Sequence, residues 1–321
     1  MKEIGGYFGK EELLKNGGEY HPSLVALNTA RNALVYLAKA RGIRKVFLPY
    51  FLCDSVRLVC EREKIDCELY HIDASFRPVF EKKLKEGEAL YLVNYYGLLT
   101  DREISEYRDK FGNVIADYIH AFFRKPIEGI DTVYSCRKFF GVPDGAYLAT
   151  DCLLKEDLPI DESEGRLSHI LGRSRDGASA HYAEFKANDA SFKTLPLMKM
   201  SGLTHKMLSE IDYEAVKSRR EENFAFLHSA LGGENRLIRN LPAGPYAYPF
   251  YCENGMALKK KLAEKKIYVA TLWPNVTESD RPVEKDLAEN ILPLPCDQRY
   301  GREEMQYVIE SIREEINKNH E

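Results

Sequence analysis

A chain of 321 residues, 44% of them hydrophobic, is long enough for one large domain plus a smaller one. Its formal net charge of -4, from 46 basic against 50 acidic residues, gives nothing for a polyphosphate backbone to bind non-specifically, so no nucleic-acid partner is expected. No run approaches the roughly 20 apolar residues that span a bilayer, and the start MKEIGGYFGKEELLKNGG lacks a signal-peptide core, so no membrane partner is expected and the expected location is cytoplasmic.

In chain order the first half alternates short β-rich runs with amphipathic segments. A helical pattern from Asn32 to Arg41 precedes the strand-like KVFLPY (45–50). A second, from Cys53 to Lys64, precedes CELYHID (67–73) and ALYLVNYY (89–96); a third, from Arg102 to Phe111, precedes NVIADYI (113–119), TVYSC (132–136) and GAYLAT (145–150). Such alternation predicts an α/β fold, a mainly parallel sheet flanked by helices. From Asp151 to about Ser191 the chain turns polar, and GRSRDGASA reads as an exposed loop. A long helical stretch from Leu203 to Leu231 follows, its charged EAVKSRREEN on a solvated face. The tail reads as strand (YAYPFYC), helix (MALKKKLAEKK), strand (IYVATLW), a short run ILPLPCD and a final helix after Gly301. The expected division is a large domain over 1–200 and a connecting helix with a small C-terminal α/β domain over 201–321. Seven cysteines, an odd number, suit a reducing compartment; Cys53, Cys60 and Cys67 recur every seven residues, which matches no common zinc pattern, and no metal site is expected.

Ligands of open α/β sheets sit beyond the carboxyl ends of the strands, so chemistry is sought there. Tyr50 closes the first run, with Cys53 just beyond it; Asn94 follows ALYLV of the third; Asp117 lies near the end of the fourth, with His120 three residues on; Ser135, Arg137 and Lys138 follow TVY of the fifth. Upstream, Thr29, Ala30, Arg31 and Asn32 form a helix N-terminus, where free N–H groups and the helix dipole favour phosphate. Pyridoxal 5'-phosphate asks for this set: a lysine for the Schiff base, a carboxylate for the pyridine nitrogen, a stacking surface and a phosphate cradle.

Those residues carry a resemblance to the DegT-type sugar aminotransferases, pyridoxal-phosphate enzymes of the aspartate-aminotransferase fold (fold type I). TARNAL (29–34) resembles the family's phosphate segment, NYYG (94–97) its His-x-Tyr-Gly strand end, ADYIH its Glu-Asp-x-x-Gln, and YSCRKFFGVPDGAY its serine, Schiff-base lysine and glycine-rich turn. The tail LPLPCDQRYGREEMQYVIESI resembles the closing Leu-Pro segment and helix, so the likeness runs over most of the chain. The resemblance implies Asp117 as partner of the pyridinium, His120 near the ring hydroxyl, Ser135 beside the phosphate and Lys138 as the catalytic lysine. It further implies a small-molecule amino donor such as glutamate, a keto-sugar acceptor linked to a nucleotide, a role in surface polysaccharide or secondary-metabolite synthesis, and a homodimer whose partner reaches over with residues near Ser201 to Thr204.

The chain also departs from the family pattern. Arg31 stands for a threonine and would offer phosphate a charged fork. The Ser135 to Lys138 segment is two residues shorter than the family spacing, and Cys53 stands where an aromatic often stacks on the ring, with Tyr50 or Phe51 as substitutes. The segment after Thr150 lacks the usual substrate-loop pattern. Two alternatives stay open: another pyridoxal-phosphate reaction, a dehydration or lyase step, against which the lysine argues because dehydratase relatives carry histidine there; and a non-catalytic homologue with a binding or regulatory role.

Overall fold

The computed structural model describes residues 3–233, 235, 237–238, 240–278 and 281–318, so the outer ends of the two expected domains, 1–2 and 319–321, lie outside the described residues. The first half contains β1 (Ile4–Gly5), β2 (Val25–Leu27), α1 (Ala30–Arg41), β3 (Lys45–Pro49), α2 (Asp54–Glu63), β4 (Asp66–Ile72), β5 (Pro78–Val79), β6 (Glu88–Val93), α3 (Asp101–Phe111), β7 (Val114–Asp117), β8 (Asp131–Ser135) and β9 (Ala146–Ala149). Eight of these strands make one sheet in the order β2-β9-β8-β7-β6-β3-β4-β5. Its five central strands, β4, β3, β6, β7 and β8, run parallel; β9 and β5 pair antiparallel with β8 and β4, and β2, antiparallel to β9, runs in the direction of the central strands. The near-continuous apolar runs of β3, β6 and β7 follow from burial on both faces, while β8 buries the polar Asp131, Thr132 and Ser135 beside Val133 and Tyr134.

Local chemistry sets the helix boundaries. Thr29 caps α1, its Oγ1 accepting from the Asn32 N–H at 3.3 Å, and Gly42 ends it in the left-handed region. A reciprocal Thr100 and Glu103 capping box opens α3. Because β2 ends with Leu27 opposite Ala146, which lies opposite Ser135 at the end of β8, the start of α1 lies at the carboxyl edge of the parallel strands, the edge that carries the site.

The later chain adds α4 (Ser168–Asp176), α5 (Tyr182–Ser191), α6 (Gly202–Ser209), α7 (Tyr213–Leu231), β10 (Tyr248–Tyr251), α8 (Gly255–Glu264), β11 (Ile267–Tyr268), α9 (Pro282–Asn290), β12 (Ile291–Leu294) and α10 (Arg302–Lys318). A second apolar cluster joins Phe224, Leu227 and Leu231 of α7 to Val308, Ile309 and Ile312 of α10, around the antiparallel pair β10 and β12. Ile4 enters this cluster because β1 pairs with β11. Among the described residues no helix is long and apolar enough to cross a membrane.

Several expectations need correction. GRSRDGASA is not an exposed loop: its first residues lie in α4, where His169 and Ile170 are buried and Arg173 Nη2 donates to the Gly5 carbonyl at 2.9 Å. Contacts from the distant N-terminal segment supply what local polarity concealed. The stretch Leu203 to Leu231 is two helices, because the Asp212 side chain accepts from the Ala215 N–H at 3.1 Å and starts α7 afresh. Of IYVATLW only Ile267 and Tyr268 pair as a strand, and α9 arises where no helix is expected.

Candidate active site

Register brings the strand ends together. Val93 of β6 lies opposite Asp117 of β7, and Asp117 opposite Val133 of β8, so Asn94, Asp117 and the turn after Ser135 meet at one edge. Asp117 is 2% exposed. Its Oδ1 accepts from the Ile119 N–H at 2.8 Å and its Oδ2 from the Tyr91 hydroxyl at 3.0 Å. Burial pushes its carboxyl up to about 6, against the pull of those two hydrogen bonds and of the Lys138 ammonium. A buried carboxylate in this condition gains from a cation placed against it.

Lys138 ends the tight turn Cys136–Lys138 that follows β8. It is half-buried, has no hydrogen bond or ion pair with any described residue, and its charge is felt at both Asp117 and His120. His120 is buried, and burial, then the Lys138 charge, drives its pKa well below the usual value, so the ring is neutral. It stacks on Tyr246 with centroids 4.1 Å apart and planes 7° apart, and lies 5.8 Å from Trp273. Tyr91, Tyr246 and Trp273 are neighbours that the sequence reading does not select. Tyr246 and Trp273 come from more than a hundred residues downstream, and only the aromatic richness of the sequence hints at them.

At the start of α1, Thr29 is engaged in capping, while Ala30 and Arg31 open the first turn, whose N–H groups lack intrahelical partners. The Arg31 side chain, lowered in pKa by burial and held up by Asp189, has no hydrogen bond or ion pair with a described residue. Ser135 is 9% exposed and its hydroxyl is likewise without a hydrogen-bond partner among the described residues. Arg137, next to Lys138, is a further cation at this edge; it stacks over Phe192 at 4.0 Å.

Other expected site residues are engaged in the scaffold. The Asn32 amide donates to Asn28 Oδ1 at 2.9 Å and to the Pro196 carbonyl at 2.7 Å, while its Oδ1 accepts from Arg62 Nη2 at 3.0 Å. Asn94 closes its own turn, with Oδ1 accepting from the Leu99 N–H at 2.9 Å. Tyr50 follows β3, separated from β7 by β6, and lines a surface pocket with Cys53, Arg57 and Leu69. Cys53 is the exposed residue before α2, near Arg31. Phe51 packs on Trp273 at 4.5 Å, as part of the core. Ser201 and Thr204, expected to reach a partner subunit, are buried and their hydroxyls donate to Asp144 of the same chain.

A mainly parallel sheet with a lysine, an aspartate and a helix N-terminus on its carboxyl edge defines the class, an α/β protein built like the pyridoxal-phosphate aminotransferases. No family model and no curated protein matches the chain. Solved structures do. NtdA from Bacillus subtilis with bound cofactor PMP superposes with a TM-score of 0.66 at 13% identity, covering 91% of this chain and 72% of that one. A DegT DnrJ EryC1 StrS aminotransferase from Brucella abortus gives 0.59 at 16% identity, covering 90% and 85%. The sugar aminotransferase CalS13 from Micromonospora echinospora gives 0.57 at 15% identity, covering 91% and 87%. At these identities the likeness establishes a common fold, and the chain has the fold of these aminotransferases.

Proposed function

We propose that the protein is a pyridoxal-phosphate-dependent aminotransferase that moves an amino group from an amino acid to a nucleotide-linked keto-sugar. One observation carries the reading: an unpartnered lysine one turn beyond a strand, within charge reach of a buried aspartate that lacks a cation of its own. The fit to the cofactor rests on three local features. Asp117 would hold a protonated ring nitrogen, which returns the electrostatic cost of its burial. The Ser135 hydroxyl, the first-turn N–H groups of α1 and Arg31 would hold the phosphate. Neutral His120, stacked on Tyr246, offers a ring nitrogen to a hydroxyl without adding charge.

Pyridoxal phosphate, when bound, supplies an electron sink for negative charge at the substrate's Cα. The chain's own contribution is protonic and steric. Lys138 Nζ would anchor the group and would serve as the amine that carries a proton to and from Cα. Tyr91, kept protonated by burial and by the neighbouring carboxylate, donates to Asp117 and fixes its orientation. The sugar acceptor is supported by the printed activity of CalS13, and the cofactor by the PMP in NtdA. We read the second apolar cluster as the smaller domain of such an enzyme, working as a homodimer.

The test is the visible spectrum of purified protein with pyridoxal phosphate, before and after borohydride, with mass mapping of the labelled peptide. A visible band that borohydride bleaches, with the added mass on Lys138, supports the reading. Label on another lysine, or normal turnover by Lys138→Ala, overturns it. Loss of the band on adding glutamate separates an aminotransferase from a dehydratase or lyase.

A further inference from the structure

Beside the cradle at α1 lies a second group of polar side chains with no counterpart in the reading above. Arg137 and Arg166 both stack on the Phe192 ring, at 4.0 and 5.6 Å. His169 lies within charge reach of Arg137 and 5.8 Å from the Phe185 ring of α5, Asn188 follows Phe185 by one turn of that helix, and Phe192 follows Asn188 by another, so these side chains are presented together. Asn188 is 6% exposed and His169 3%.

Their polar atoms are unmatched. Asn188 Nδ2 and Oδ1, His169 Nδ1, and Arg166 Nε and Nη2 are buried and have no hydrogen-bond partner among the described residues. Asp161 Oδ2 approaches Arg166 Nη2 to 2.9 Å, but off the line a hydrogen bond requires, so that contact is an ion pair only. Arg137 has its carboxylate, Asp189, at 3.7 Å, and that side chain is 54% exposed. Native folds leave few buried polar atoms unpaired, and a knot of them around two guanidiniums marks a place for a polar ligand of negative charge.

We propose that Arg137, Arg166, His169 and Asn188 form a second oxyanion subsite, adjoining the α1 cradle at Asp189, that takes a carboxylate or phosphoryl group of the substrate. Arg137 adjoins Lys138, so an anion held there lies beside the reacting amine. The identification of the anion as substrate rests on the aminotransferase reading; the binding of an anion does not.

The experiment is thermal unfolding of the protein carrying borohydride-fixed pyridoxal phosphate, titrated separately with sodium phosphate and sodium succinate against sodium chloride of equal ionic strength. A saturable rise in Tm of several degrees with either anion is expected. Phosphate alone would mark a phosphoryl-bearing substrate, and succinate alone a carboxylate. The rise should survive in Ser135→Ala and vanish in Asn188→Leu and Arg166→Gln. Without anion, Asn188→Leu should melt above wild type because it removes two unpaired buried atoms, which also shows that it folds. No rise beyond chloride, or an equal rise in Asn188→Leu, overturns the subsite. A rise seen only before the cofactor is fixed assigns the cluster to the cofactor's own cradle and overturns it as well. If the protein takes up no cofactor, the same titration of the protein as purified still tests the subsite while the aminotransferase reading fails by itself.

Discussion

Burial of the Asp117 carboxyl works against folding at neutral pH. Its pKa rises from 3.8 to about 6, so between those values the folded chain holds a proton that the unfolded chain has released. Stability attributable to this group is therefore greatest below about pH 4 and falls as pH rises through about 6, by on the order of 2–3 kcal/mol. Asp117→Asn should then melt above wild type at pH 7 when no cofactor is present, and the gap should close as pH approaches 4. Added pyridoxal phosphate should reverse the order, raising the wild type more than the variant; a variant that responds as strongly as wild type would remove Asp117 from the ring nitrogen. The same scale shows what a sequence can and cannot display. Lys138, Asp117 and Ser135 are legible because each ends a recognisable strand and because the chemistry requires them jointly. Asn32 and Asn94 have the right position along the chain, but their amides are consumed by neighbours at Pro196 and Leu99. Arg137 was in plain view, yet its value depends on Phe192, more than fifty residues downstream.

Among elements, the turn after Lys138 depends on α6. Asp144, fully buried, accepts from the Ser201 N–H at 2.9 Å, from the Ser201 hydroxyl at 2.7 Å and from the Thr204 hydroxyl. Gly145 beside it sits at φ 114, and a Cβ there would meet Thr204 Cγ2 at 3.0 Å. Its N–H donates to the Asn28 carbonyl at 2.7 Å, so one dipeptide joins the lysine turn, the approach to α1 and the start of α6. Asp144→Ala strands three buried donors and should cost on the order of 3 kcal/mol, read as a lower urea midpoint at unchanged m-value. Cofactor affinity should fall with it, because the strand ends lose their common anchor; unchanged affinity would separate the turn from the site. The Pro-Asp-Gly turn itself was readable in the sequence. Its partner was not, since α6 was expected to be the first half of one long helix.

At the scale of the whole molecule, the two apolar clusters are bound by the N-terminal segment and a half-buried arginine. Ile4 belongs to the second cluster, whereas Leu14 bridges to Ile211 of the first. Between them the carbonyls of Tyr7 and Gly6 accept from Arg299 at 2.8 and 3.3 Å, and Arg299 grips Asp297 through both oxygens at 2.7 and 2.8 Å. Next to Arg299, Gln298 Nε2 donates to the Phe139 carbonyl at 2.8 Å, as does Arg220 Nη2 at 3.1 Å, so the C-terminal half holds the residue beside Lys138. Burial alone would raise the Asp297 carboxyl; the Arg299 charge and hydrogen bonds outweigh it and hold the group below 3.8. Its contribution to stability is thus present above about pH 4 and is lost as pH falls through the lowered value. Arg299→Met leaves that carboxylate buried without its cation and should cost about 3–5 kcal/mol at pH 7. The difference from wild type should shrink on acidification, because the variant's buried Asp297, without that cation, takes up a proton more readily than wild type, whose carboxyl follows only as pH falls through its lowered value. Because the arginine also holds the Gly6 and Tyr7 carbonyls, limited proteolysis of the variant should cut first within residues 5–10, before the sheet opens. A variant whose deficit is the same at pH 3.5 and pH 7 would show that Arg299 acts through packing on Phe8, 4.2 Å away, and not through its charge.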